Sequence, residues 1–227
     1  MRRFSLALLT LMFGAGTLSA QMPRRPSAYT NDPGMWITAG IAGFQGNGVN
    51  DGATASIWNF GNSTNFQYRG SIEKGGNNGS SFGVAGSWAH VPFVYTSTGV
   101  VIPPAQCSSC DAHLEMMTLV ATFHSGAGYG FHQVLELNGG IVAYRNLKRD
   151  SDGATLAPSG GNIDPLFAFG YGFGYGFSDR TNIDFTSDYA IAFHEGKGLS
   201  NGTSNTNRMP GLRLSLRMGF GGSTRRR

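Results

Sequence analysis

Residues 167–177 read Phe-Ala-Phe-Gly-Tyr-Gly-Phe-Gly-Tyr-Gly-Phe. Phe167, Phe169, Tyr171, Phe173, Tyr175 and Phe177 alternate with Ala168, Gly170, Gly172, Gly174 and Gly176. A period of two belongs to a strand, because successive side chains point to opposite faces of a sheet. A helix would scatter the rings around its circumference, and each glycine would cost it about 1 kcal/mol. The stretch is therefore a strand with one bulky apolar face and one face nearly free of side chains. Glycine is unfavourable inside a strand unless something approaches it closely. The inside of a very narrow barrel supplies that approach, and its outside has room for the rings.

Composition points the same way. Of 227 residues, 13% are charged, against about 25% in soluble domains. Glycine stands at 35 residues, more than twice its usual share. Aromatics reach 12%, far from the composition of a disordered chain. Low charge with high glycine and aromatic content fits a transmembrane β-barrel better than a soluble enzyme.

A targeting segment is expected over residues 1–20. Arg2 and Arg3 form its positive start, Leu6 to Phe13 its apolar middle, and Leu18-Ser19-Ala20 a small-residue cleavage site. No later run approaches the ~18 apolar residues of a membrane helix. The mature chain is expected to begin near Gln21 and to be exported, with 21–34 as a periplasmic lead-in, 35–220 as the barrel and 221–227 as a basic tail. The net charge of +4 includes Arg2 and Arg3, so the remainder is small and implies no nucleic-acid partner. Cys107 and Cys110 (Cys-Ser-Ser-Cys) are expected to form a local disulfide in an oxidising compartment. No helix stands behind them to lower a thiol pKa, and zinc would need a second ligand pair.

Eight strands follow: about Met35 to Gln45, Asn65 to Glu73, Ser81 to Tyr95, His113 to His124, Phe131 to Tyr144, Phe167 to Phe177, Asn182 to His194 and Gly211 to Phe220. Each is roughly 9–15 residues, enough to cross a bilayer when tilted. Connections alternate long and short. The long ones are Gly46 to Thr64, Thr96 to Ala112, Arg145 to Asp164 and Glu195 to Met209. Asn78 and Asn201, each before glycine, mark turns. The fold class is all-β: an eight-stranded antiparallel up-and-down transmembrane β-barrel. The faces of the first and fourth strands are ambiguous.

Size and charge decide which face points out. An eight-stranded barrel is only wide enough for side chains to fill it, so the aromatics belong outside. The small-residue face also carries Arg69, Glu73, Glu136, Asp184, Asp188, Arg213 and Arg217. A basic residue at the lipid midplane costs about 2–4 kcal/mol, whereas inside these groups can pair. Asp184 and Asp188 are expected to reach Arg213 and Arg217 on the neighbouring strand, and the lumen to be filled by a charge network. The soluble alternative is a lipocalin-like barrel with the faces inverted, but it would need a polar outer face.

The chain resembles the small eight-stranded outer-membrane proteins of the OmpX/OmpA transmembrane-domain type over about Met35 to Phe220. The resemblance rests on strand count, loop alternation and the last strand, Gly-Leu-Arg-Leu-Ser-Leu-Arg-Met-Gly-Phe. It implies that Leu214, Leu216, Met218 and Phe220 are the insertion signal read by the barrel-assembly machinery. It further implies contact with outer-membrane lipid and lipopolysaccharide, and loops that meet an extracellular partner. The tail from Gly221 to Arg227 follows where the family usually ends on the aromatic.

Catalysis is not expected. Some barrels of this size modify lipid A with a His, a Ser and an acid. His124-Ser125 falls at the periplasmic end, while His90 and His194 lie outward but lack Ser and acid at triad spacing. No metal or cofactor is expected: His113, Asp111 and Cys110 form a weak ligand set, and Asp150-Ser-Asp152-Gly153 opens like a calcium loop but has Gly161 where the twelfth-position Glu belongs. Trp36, Trp58, Trp88, Tyr95 and Tyr144 are expected at the membrane interface. A small passive channel is the competing reading.

Overall fold

The computed structural model describes residues 29–30, 32–61, 64–76, 79–99, 107–200, 203–222 and 225–226. The targeting segment, most of the lead-in, Asn78, Asn201 and part of the tail lie outside the described residues. The chain divides into two compact units. In the smaller, Met1–Asn31 with Thr224–Arg227, Tyr29–Thr30 pairs antiparallel with Arg225–Arg226. The larger, Asp32–Ser223, holds the barrel.

The barrel strands are β1 (Met35–Phe44), β2 (Asn65–Gly75), β3 (Ser80–Ser97), β4 (Ser109–Ser125), β5 (Gly130–Arg149), β6 (Asn162–Ser178), β7 (Thr181–Phe193) and β8 (Thr206–Phe220). Each pairs antiparallel with its neighbour in sequence, and β8 returns to β1 from Gly211↔Phe44 to Phe220↔Met35. Eight strands therefore close without an edge. Tight connections (76–79, 126–129, 179–180) gather at one end and long ones (45–64, 98–108, 150–161, 194–205) at the other.

The outward phase is apolar around the whole ring. Phe66, Phe82, Leu119, Phe131, Phe167 and Leu212 are each more than half exposed. In water such a belt would be an aggregation liability; lipid accommodates it, and the barrel is transmembrane. The glycine phase of β6 faces inward against close neighbours. A Cβ at Gly170 would meet the Asp188 carboxylate and stand 3.5 Å from Glu136 Cβ. One at Gly174 would run into Asp184 and His132. The ambiguous strands resolve too: Ile37, Ile41, Met117, Leu119 and Phe123 face out, and Trp36, Thr38, Val120, Thr122 and His124 face in.

Two expectations are corrected. Strands β3, β4, β5 and β6 run 18, 17, 20 and 17 residues, longer than read from sequence. The β3–β4–β5 ladder continues past the lipid belt, through Thr96↔Ser109 and Ala112↔Arg149, and takes residues assigned to the second and third loops. Secondly, the interior is not reserved for small residues. Within this extension Trp58, Phe93, Tyr95, Leu114, Tyr144 and Leu147 are buried. Trp58, Tyr95 and Tyr144 are thus inside rather than at the interface, as is Trp36 at the tight-turn end, where it lies against Arg217; Trp88 alone of those five faces out, stacked on Tyr68 at 6.2 Å. The cause is the change of solvent. Beyond the lipid the outer surface meets water and carries His90, Glu115, Arg145 and Lys148, so the apolar phase moves inside.

A ladder closed on itself resists detergent. Mature protein refolded in detergent should migrate faster unheated than boiled; identical migration would show that closure does not survive the detergent.

Candidate functional site in the barrel interior

The interior is organised in levels. Nearest the tight turns, Arg217 is 1% exposed. Its Nη2 donates to Glu73 Oε2 at 2.8 Å and to Ser81 Oγ at 2.7 Å, and its guanidinium lies 4.7 Å from the Trp36 ring centre. Ser71 Oγ donates to the other Glu73 oxygen at 2.6 Å. Farther along, Glu136 on β5 receives two arginines across the lumen. Arg213 Nη1 and Nη2 from β8 donate to its two oxygens at 3.0 and 2.8 Å, and Arg69 Nη2 from β2 donates to Oε1 at 2.7 Å. Arg69 also reaches Asn138 Oδ1 at 2.7 Å, and Asp188 Oδ2 lies 3.3 Å from Arg213 Nε.

The seven charged residues singled out by sequence therefore fall into groups. Arg69, Glu136, Asp188 and Arg213 stand together, and Glu73 pairs with Arg217. Asp184 pairs with neither arginine in direct contact. It sits between two histidines, with His132 Nε2 at 3.5 Å and His124 Nε2 at 3.8 Å, and its buried oxygens accept no hydrogen bond among the described residues. His124 Nε2 instead lies 2.8 Å from the Gly126 carbonyl oxygen. A cavity of about 60 Å³ separates the charged cluster from the apolar outer section, with Gln67, Arg69 and Asp188 among its polar walls and Phe44, Met116 and Leu166 among its apolar ones.

At the long-loop end the first connection turns inward. Its hairpin, Val49–Asp51 with Ser56–Asn59, adds to β3 from Ser56↔Ser97 to Asn59↔Val94. Trp58 is fully buried, edge-on to Tyr144 at 5.7 Å and to His194 at 5.4 Å. His194 Nδ1 is 2.9 Å from Asp164 Oδ2, and its Nε2 is 3.9 Å from Asp51 Oδ1. Burial alone would push its pKa down; the hydrogen bond to Asp164 and the nearby Asp51 carboxylate outweigh it and raise the imidazole to about 9. Burial would likewise raise Asp51, but the nearby His194 imidazole and hydrogen bonds from Thr54 hold it below the usual carboxylate range.

The other sequence candidates are dispersed. Cys107 and Cys110 form a disulfide, so Cys110 offers no thiolate beside Asp111 and His113. His113 Nδ1 contacts Asp150 Oδ1 at 2.5 Å, and its ring lies 4.9 Å from that of His90. Asp152 receives the Arg149 fork at 2.8 and 2.6 Å. Among the described residues, no three His, Cys, Asp or Glu side chains stand at metal-binding spacing. His194 Nδ1 bonds Asp164, the Asn162 side-chain nitrogen lies 3.2 Å from the same atom, and no serine hydroxyl joins them among the described contacts. Leu214, Leu216, Met218 and Phe220 all point outward, 41–50% exposed.

Sequence reasoning missed the apolar outer section and the Asp51–His194–Asp164 group. One signal was present. The inward phase of β3 reads Gly83, Ala85, Ser87, Ala89 and then Val91, Phe93, Tyr95. The growth in side-chain size at Val91 marks where the interior changes character.

No family model and no curated protein matches the chain. Solved structures do. Neisserial surface protein A aligns with 84% of this chain and 100% of its own, at 12% identity and a TM-score of 0.49. The N-terminal β-barrel domain of Pseudomonas aeruginosa OprF aligns over 84% and 99%, at 16% identity and a TM-score of 0.38. OprG from the same organism aligns over 83% and 98%, at 10% identity and a TM-score of 0.43. By its own strand order, closure and apolar belt, the chain has the fold of a small eight-stranded outer-membrane barrel.

Proposed function

We propose that the protein is a non-conducting outer-membrane barrel with a structural or surface-interaction role, exported on a cleaved targeting segment. One observation carries the reading: ion pairs cross the interior at two levels, and an apolar section around Trp58 fills it beyond them. A barrel of this strand number has little lumen left once its side chains are placed. The long connections face the cell exterior in this architecture, and an extracellular partner would meet them there. The first connection folds inward; on the third and fourth, Asp150, Asp152, Glu195 and Lys197 are exposed. The belt suits outer-membrane lipid and lipopolysaccharide. The outward row Leu214, Leu216, Met218 and Phe220 suits recognition by the barrel-assembly machinery. A lipid A-modifying role finds less support, since His194 is sequestered between carboxylates under Trp58.

Planar-bilayer recording of the refolded protein tests this. The expected result is no steady conductance above the bare bilayer. A steady ohmic conductance would establish a continuous water path and replace this reading with a passive channel.

A further inference from the structure

We propose that Asp51, His194 and Asp164 form a charge lock that fastens the 49–59 hairpin across the long-loop mouth of the barrel, and that loss of the His194 proton releases it. This goes beyond the surface role and does not depend on it.

The hairpin is a poor candidate to hold itself. Its strands are Val49–Asp51 and Ser56–Asn59, and an isolated two-stranded ribbon is marginal in water. Its attachments to the barrel are specific. Ser56–Asn59 pairs with β3, Asn50 Nδ2 donates to the Ser204 carbonyl at 2.7 Å, and Gly52 is pressed against backbone of 197–199. Asp51 is its buried charge, 5% exposed. The same carboxylate shapes the hairpin, accepting the Ala53 amide and the Thr54 hydroxyl at 2.9 Å each.

The two carboxylates around His194 differ in what holds them. Asp164 is anchored in the β6 ladder opposite Val142, whereas Asp51 rides on the hairpin. A further titratable group at this site is the Tyr144 hydroxyl of β5, which senses the Asp164 charge and accepts a hydrogen bond from Asn207 at 3.3 Å. β8 and the last long connection present amides here, Asn207 and Asn205. A neutral imidazole leaves two buried carboxylates facing one another without a cation, an arrangement that burial strongly penalises. The partner free to leave is the one on the hairpin, and Trp58 leaves with it.

The sign follows from the raised imidazole. A histidine lifted from 6.5 to about 9 contributes fastening that is complete below 6.5 and is lost as pH rises through about 9. Asp51, held below its ordinary 3.8, contributes fastening that is present above that value and lost on further acidification. The mouth is thus held most firmly in mildly acidic solution.

The test places Trp58 alone, by Trp36→Phe and Trp88→Phe, in refolded full-length mature protein, and follows acrylamide quenching with pH. Quenching should stay low and level to about pH 7, then rise several-fold with a midpoint near 9. His194→Gln should quench readily at every pH with no transition. Asp51→Asn should move the midpoint to lower pH. A Trp58 protected through the alkaline range overturns the lock, as does an unchanged transition in His194→Gln. Should His194→Gln fail to show the fast-migrating folded band, the Asp51→Asn midpoint decides, and an unshifted midpoint overturns the proposal.

Discussion

Replacing Glu136 with alanine is expected to lower the unfolding free energy of the refolded barrel by about 3–5 kcal/mol, the cost of stripping the counter-charge from a buried pair. Glu136 is the hub of the cross-lumen cluster. It holds Arg213 through both oxygens and Arg69 through one, with side-chain exposures of 5% and 13% for the two arginines. Where water is scarce, its removal leaves Arg69 without its ion pair and Arg213 with only its contact to the partly exposed Asp188. Asp188→Asn should do much less, because the Asp188 side chain is 24% exposed and Arg213 keeps Glu136. The double variant Glu136→Leu/Arg213→Leu removes one charge of each sign and should recover part of the loss, leaving Arg69 with Asp188. Urea titrations read by the folded-band shift on unheated gels give all three numbers. Equal losses in Glu136→Ala and Asp188→Asn would mean that the cluster does not act through Glu136.

The second large effect concerns a single methyl group. At Gly172 an added Cβ would overlap the Phe185 carbonyl and lie 2.7 Å from Thr186 Cα. Both obstacles are backbone of the adjacent strand, so no rotamer change relieves them. Gly172→Ala should destabilise by about 1–3 kcal/mol, as overpacking does. Gly83 and Gly140 belong to the same class, each against the backbone of a neighbouring strand. Gly70 is the control. It faces outward, with the Thr38 carbonyl at an ordinary 3.7 Å, so Gly70→Ala should be neutral or stabilising by roughly 0.5 kcal/mol, since alanine loses less backbone freedom on folding. Equal effects at Gly172 and Gly70 would remove close strand approach as the reason for the glycine face of β6.

The same contrast explains what could be read without coordinates. In β6 and β8 one phase is bulky and the other is glycine or charge, so strand, face and partners follow from alternation. In β4 that contrast disappears. Leu114, Met116 and Val120 face in while Met117, Leu119 and Phe123 face out, because an apolar interior lies on one side and lipid on the other. A period of two is visible only where the two environments differ. Asp184 shows a further limit. Its register opposite Ser215 follows from neighbouring strands, but its ionisable neighbours are His132, which reaches it over Gly174 from β5, and His124, from β4 farther round the barrel. Contacts across a barrel depend on strand tilt and stagger, which local alternation does not encode. The hairpin around Trp58 was hidden for a related reason: Gly- and Asn-rich flanks read as an open loop, although its Val49, Trp58 and Phe60 are core residues.

That inward hairpin also sets where the chain can accept new sequence. Residues 52–55 join two strands that bury Val49, Asp51, Ser56 and Trp58, so a peptide inserted there would prise Trp58 from its seat. At 151–153 the chain is exposed, and a side chain at Gly153 would meet nothing within 4 Å. An affinity tag or foreign epitope belongs after Gly153. Sequence drift among descendants of this protein should likewise concentrate at that tip, while the first connection, though nominally a surface loop, should change as slowly as a core.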